Sequence, residues 1–200
     1  IMHNAIDAEK FCFNQTVRNE YRNKLNLNDK KVLIYVARFE EGKNQEFLLS
    51  VIEKLDEEYH LLLVGDGKKS DYIDEEITER GISDRVTVLG RRTDIPELLS
   101  ASDLFLFASL HEGLGIVAIE AQANGLRTIA SMGIPDDTRI TDIIDYIELD
   151  VSKWVIAIKN SGFNNGVCRT DMYSRVCEAG YSVKEEVKKY QDKILHMTER

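Results

Sequence analysis

From Lys31 onward, short apolar runs rich in β-branched residues alternate with longer amphipathic stretches. VLIYVARF (32–39) is long enough for a strand and too short for a core helix. In NQEFLLSVIEKLDEE (44–58), Phe47, Leu48, Val51, Ile52 and Leu55 recur at helical spacing, and Asn44 is placed to cap that helix. HLLLVGDG (60–67) predicts a second strand ending in glycines, and DYIDEEITERG (71–81) a polar helix stopped by Gly81. RVTVLG (85–90) is a third strand, and DIPELLSAS (94–102) a short helix with Pro96 in its first turn. DLFLFAS (103–109) gives a fourth strand, GIVAIEAQAN (115–124) a helix ending at Gly125, and RTIAS (127–131) a fifth strand. DYIELD (145–150) is a candidate sixth strand, followed by helices at 151–160, about 170–180, and 183–198. The polar stretch 159–171 between them reads as a mobile loop.

Alternating strands and helices with continuously apolar strands predict an α/β domain: a doubly wound, mostly parallel, Rossmann-like sheet with C-terminal helices. In such sheets ligands bind beyond the carboxyl ends of the strands. Arg38, Gly65–Gly67, Arg91 and the 109–115 loop are all expected there.

Composition narrows the class. Two hundred residues suit one domain with a sizeable core, and 43% hydrophobic with 30% charged residues is globular rather than disordered. The net charge of −9 argues against a nucleic-acid partner. No apolar run approaches the roughly 20 residues of a membrane span. Cys12, Cys168 and Cys177 are odd in number and lack CxxC spacing, which favours free thiols in a reducing compartment. Ile1 is not an initiator, so the chain reads as a piece of a longer protein.

Candidate chemistry gathers in HEGLGIVAIEA (111–121). Gly113 and Gly115 flank Leu114 at the start of a helix, where unsatisfied amides and the helix dipole suit an anion such as a diphosphate. An ordinary glycine-rich turn reads the same way. Arg38 and Lys43 share one loop and suit a diphosphate clamp, or are solvated charges paired with Glu40 and Glu41. Gly65-Asp66-Gly67 lacks a third glycine, so an ordinary turn is the better reading than a dinucleotide fingerprint. Glu120 has apolar neighbours on nearly every side, where a carboxylate is costly without a partner. It lies on an outer helix face or accepts from vicinal hydroxyls such as those of a ribose. Glu112, just outside the helix, need not share that face. No Asp-x-Asp pair is placed to hold a divalent ion, and neither a metal nor a cofactor is expected.

SLHEGLGIVAIEAQANGLRTIAS resembles the signature of retaining GT-B glycosyltransferases of family 4, two glutamates separated by seven residues. IMHNAIDAEKF is similar to the segment that opens that family's nucleotide-binding half, and VARFEEGKNQEFLL to its phosphate loop. LLLVGDG and RVTVLGRRTDIPELLSASDLFLFAS follow in the family's order. EAQANGL, GIP and TDIIDYIELDVSKW most resemble the capsular and exopolysaccharide branch. The sequence departs at Ala5, at Ala37 and at Leu126-Arg127, which puts loop geometry in question but removes no ligand group.

The resemblance implies a hexosyltransferase-type enzyme that binds a nucleotide diphosphate sugar, UDP-linked, without metal. By it, Glu120 holds the ribose hydroxyls and Glu112, the catalytic candidate, contacts the donor sugar. The amides of Gly113, Leu114 and Gly115, with Arg38 and Lys43, hold the diphosphate, and backbone near Arg91 meets the base. It also implies an acceptor-binding N-terminal domain outside this chain, without which the fragment is inactive. A cytoplasmic location follows, with peripheral membrane association left open for the full-length enzyme alone. A non-catalytic nucleotide- or sugar-binding module is the alternative; an NAD-dependent enzyme is disfavoured by the broken glycine pattern.

Overall fold

The computed structural model describes residues 4–162 and 169–198. Six strands form one sheet: β1 (Lys31–Val36), β2 (Tyr59–Val64), β3 (Val86–Gly90), β4 (Leu104–Phe107), β5 (Thr128–Ser131) and β6 (Ile144–Ile147). Their spatial order is β3-β2-β1-β4-β5-β6, and every pair is parallel. The chain winds outward from β1 to β3, returns to β4, then winds the other way. This makes the sheet doubly wound, with its switch point between β1 and β4.

The helices are α1 (Gln15–Lys24), α2 (Gln45–Lys54), α3 (Ser70–Glu79), α4 (Ile95–Ala101), α5 (Ile116–Ala123), α6 (Val151–Asn160), α7 (Met172–Glu178) and α8 (Val183–Thr198). The central strands are buried along their length: Val32, Leu33 and Ile34 of β1, all of β2, and all of β4. That is why they read as continuous apolar runs rather than alternating ones. Trp154 of α6 is fully buried and meets Phe47 of α2 edge to face, with ring centroids 5.1 Å apart. Among the described residues no helix is long and apolar enough to cross a membrane.

Several expectations shift. β1 stops at Val36 and β4 at Phe107, so residues 37–39 and 108–109 belong to loops instead of strands. The sixth strand lies at 144–147 rather than 145–150, because Thr128 to Ser131 pair with Ile144 to Ile147. Asn44 occupies the N-cap position of α2 without a side-chain cap bond: it sits in the left-handed region (φ 58°), and its side-chain amide donates to the carbonyl of Ala108 at 3.2 Å. At Leu126-Arg127, Leu126 is buried and Arg127 pairs with Asp145 of β6 at 2.7 Å.

Helix α1 is poor in apolar residues and is held largely by charge. Arg18 and Arg22 both reach Asp103, and Arg22 also donates to the Ala101 carbonyl at 3.0 Å. Cys12 is half-buried and Cys177 buried, and both are free thiols. Of the loop expected at 159–171, Lys159 and Asn160 belong to α6 and Arg169–Asp171 form a 3₁₀ turn, while residues 163–168, Cys168 among them, lie outside the described residues.

Candidate functional site

The loops after β1 and β4 meet over the switch point. The Tyr35 hydroxyl, buried at the end of β1, donates to the Lys43 carbonyl at 2.6 Å and shares a hydrogen bond with Ser109 at 2.9 Å. Burial pushes that phenol well above its usual pKa, so it remains protonated. Leu110 N–H donates to the Gly42 carbonyl at 2.8 Å, and Asn44 adds its bond to Ala108. The two loops therefore hold each other through backbone atoms, and the side chains at their tips are placed by that frame.

Lys43 and Glu112 lie at those tips. Their Nζ and Oε1 atoms form an ion pair of 2.6 Å, so the loop cation is paired with the motif acid rather than with Glu41. Arg38 is mostly exposed, with Glu40 at 3.8 Å. Its carbonyl is fixed by the fully buried Gln45, whose Nε2 donates to it at 2.8 Å.

Behind them stands the turn into α5. Gly115 is buried, with φ +66°, and a Cβ there would lie 2.9 Å from Cε1 of Phe107. Only glycine fits both the backbone conformation and the space. The first bond of the helix runs from Ala118 N–H to the Gly115 carbonyl at 2.9 Å, so the amides of Gly115, Ile116 and Val117 have no intrahelical acceptor. These N–H groups and the dipole of α5 give a local positive potential beside the Lys43–Glu112 pair.

Glu120 lies one turn further on. Its face of α5 packs toward the short 3₁₀ turn Ala8–Phe11, where Asn124, one turn beyond, donates to the Phe11 carbonyl at 2.9 Å. Burial pushes the Glu120 carboxyl up to about 7, partly offset by Lys10. No hydrogen bond or ion pair satisfies that carboxyl among the described residues. The two acids thus differ sharply: Glu112 is neutralised by Lys43, whereas Glu120 is half-buried without a partner.

Two clefts open along the strand ends. One of about 510 Å³ is lined by Ala37, Arg38, Gly65, Asp66, Gly67 and Arg91. The other, about 540 Å³, is lined by Lys43, Lys68, Lys69 and His111, and both include Glu40. Gly65 and Gly67 serve close packing: a Cβ would lie 1.9 Å from the Ala37 carbonyl oxygen at Gly65 and 2.4 Å from that of Phe39 at Gly67. Sequence reasoning read them as an ordinary turn and missed this. Tyr35, Gln45, Lys68 and Lys69 were missed too. A buried hydroxyl or amide inside an apolar run was the available signal for the first two. Among the described residues no cluster of His, Cys, Asp or Glu is placed to hold a metal.

The sheet order places this chain among the doubly wound α/β domains, with the N-terminus of α5 and the Lys43–Glu112 pair at its strand ends. The comparisons specify the family. Residues 17–136 match the model of the glycosyl transferases group 1, more than half of the chain, and the chain belongs to that family. It is 30% identical over 194 residues, 94% of its length, to EpsF of Bacillus subtilis (strain 168), assigned by name as a glycosyltransferase. It covers 50% of EpsF, and so spans about half the length of that relative. Among solved structures it resembles Anabaena HepE crystallised with UDP-glucose, with a TM-score of 0.80 and 21% identity over 98% of this chain and 57% of that one. WaaG, a glycosyltransferase involved in lipopolysaccharide biosynthesis, aligns with a TM-score of 0.74 and 19% identity over 94% of this chain and 54% of that one. These likenesses establish the Rossmann-like half of a GT-B fold.

Proposed function

We propose that this chain is the donor-binding half of a retaining, family 4-type hexosyltransferase that takes UDP-sugars. The observation that carries the reading is the crowded Gly115 turn, with its acceptor-less amides beside the Lys43–Glu112 pair and the unpartnered Glu120 carboxyl one turn behind. A cation, amides and a free carboxylate in that order match the diphosphate and ribose of one nucleotide. The HepE crystals with UDP and with UDP-glucose support this choice of ligand. The names of WaaG and of the lipopolysaccharide core enzyme LpsE of Rhizobium meliloti support a polysaccharide or glycolipid acceptor.

In this reading the diphosphate lies against the amides of Gly113, Leu114 and Gly115, and Arg38 and Lys43 offset the charge that grows on it as the sugar departs. Ionised Glu120 accepts from the ribose hydroxyls, which replace its missing partners. Glu112 accepts from a hydroxyl of the donor sugar while remaining tied to Lys43, so sugar and diphosphate are held by one ion pair. Backbone next to Arg91, at the far end of the 510 Å³ cleft, meets the base. Retaining transfer also needs an acceptor hydroxyl held near the anomeric carbon and water kept out. A further domain of a longer, cytoplasmic protein supplies both, in line with the chain's half-length match to its relatives.

Calorimetric titration with UDP, uridine and NAD tests the binding half of the proposal. UDP is expected to bind more tightly than uridine, and NAD not to compete. Equal affinity for UDP and NAD overturns it, and transfer from a UDP-sugar by the full-length protein separates an enzyme from a binding module.

A further inference from the structure

Gln122 sits on α5 between the two-glutamate motif and the helix end, fully buried, and its amide uses every hydrogen-bonding position. Nε2 donates to the Ala118 carbonyl at 3.0 Å and to the Thr138 carbonyl at 2.8 Å. Oε1 accepts from Ile140 N at 3.2 Å, Thr141 N at 3.0 Å and Thr141 Oγ1 at 2.9 Å. One side chain therefore clamps the whole 138–141 segment, part of the loop after β5, onto α5.

That segment reaches the glycine turn. Thr138, itself buried, donates from Oγ1 to the Leu114 carbonyl at 2.9 Å. The Leu114 carbonyl and the Gly115 N–H belong to one planar, trans peptide unit and point in opposite directions. Holding the carbonyl toward Thr138 aims the N–H away from that loop. Gly115 sits at positive φ and has no side chain of its own to hold this peptide plane.

We propose that Gln122 is a positioning residue for the anion site: through Thr138 it fixes the Leu114–Gly115 peptide, so that the Gly115 amide is set for the diphosphate before ligand arrives. The inference rests on the proposed UDP site for its ligand, but the preset peptide is a property of the free protein. A preoriented amide adds affinity because its ordering is already complete when the ligand binds.

Thr138→Val and Gln122→Leu, singly and together, test this. Thr138→Val is nearly isosteric and removes only the hydroxyl donor, so it remains informative if Gln122→Leu fails to fold. Either single variant is expected to weaken UDP by about tenfold, the scale of one lost hydrogen bond to a charged group, with uridine unchanged. The double variant should lose no more than the worse single one, because both act on one peptide. The 15N order parameter of the Gly115 amide in the free protein should fall in each folded variant.

A lower melting temperature with unaltered UDP affinity and an unaltered Gly115 order parameter would show Gln122 to be structural only, and would overturn the inference. Equal losses for UDP and uridine would overturn it as well. If the wild-type protein binds no UDP, the proposed function fails instead. The Gly115 order parameter then decides the positioning role alone: a fall sustains it, and no change overturns it.

Discussion

Glu120→Gln should stabilise the free domain at alkaline pH while weakening its nucleotide site. Burial raises the Glu120 carboxyl from the ordinary 4.5 to about 7, and Lys10 offsets its charge only in part. Below about pH 4.5 the acid is protonated whether folded or unfolded, and burial has no ionic penalty. Between 4.5 and 7 the unfolded chain is ionised and the folded one is not, so stability falls as pH rises. Above 7 both states are ionised, and the full penalty remains. At about 1.4 kcal/mol per tenfold change in proton affinity, that penalty reaches roughly 3 kcal/mol. Glutamine has no charge to desolvate and should escape most of it.

The assay is urea denaturation followed by fluorescence of Trp154, the single tryptophan and fully buried. The stability gain of the variant over wild type should grow by about 2 kcal/mol between pH 5.5 and pH 8. In the same series UDP binding should weaken, because glutamine accepts less strongly than a carboxylate, and 2′-deoxy-UDP should be less sensitive to the change. A stability difference independent of pH would refute the reasoning: Glu120 would then be solvated or paired in the folded domain.

Other outcomes follow from the geometry. Arg38→Ala should weaken UDP by about 1.5–3 kcal/mol and leave uridine nearly untouched, as isothermal calorimetry would read; equal losses for both ligands would remove Arg38 from the diphosphate. Glu112→Gln should leave UDP affinity within about twofold while lowering that for UDP-glucose, and matching profiles for the two acid variants would refute their separate roles. Gly115→Ala should destabilise by about 2 kcal/mol or more, from positive-φ strain and the contact with Phe107, visible as a lower urea midpoint. An unchanged midpoint would mean that the turn relaxes freely.

The alternation of apolar runs with amphipathic stretches was enough for the class of fold. Each buried parallel strand is continuously apolar, and each covering helix shows its period locally, so β1 to β5 and α2 to α5 could be read within a window of a dozen residues. The glycine turn was legible for the same reason, since the positive φ at Gly115 is a local demand. What joins distant segments was not. Helix α1 owes its place to Asp103, more than eighty residues away along the chain, and its own few apolar residues say little. Asn44 looks like a helix cap until the loop after β4 offers the Ala108 carbonyl. Lys43 stands next to Glu40 and Glu41 in sequence, yet the fold hands it to Glu112, because two loops on neighbouring strands meet at the switch point. Gln122 was hidden in an apolar helix, and only the return of the chain after β5 reveals what its amide holds. Local periodicity and backbone demands are written in neighbouring residues; partners for buried polar groups are chosen by the packing of the whole sheet.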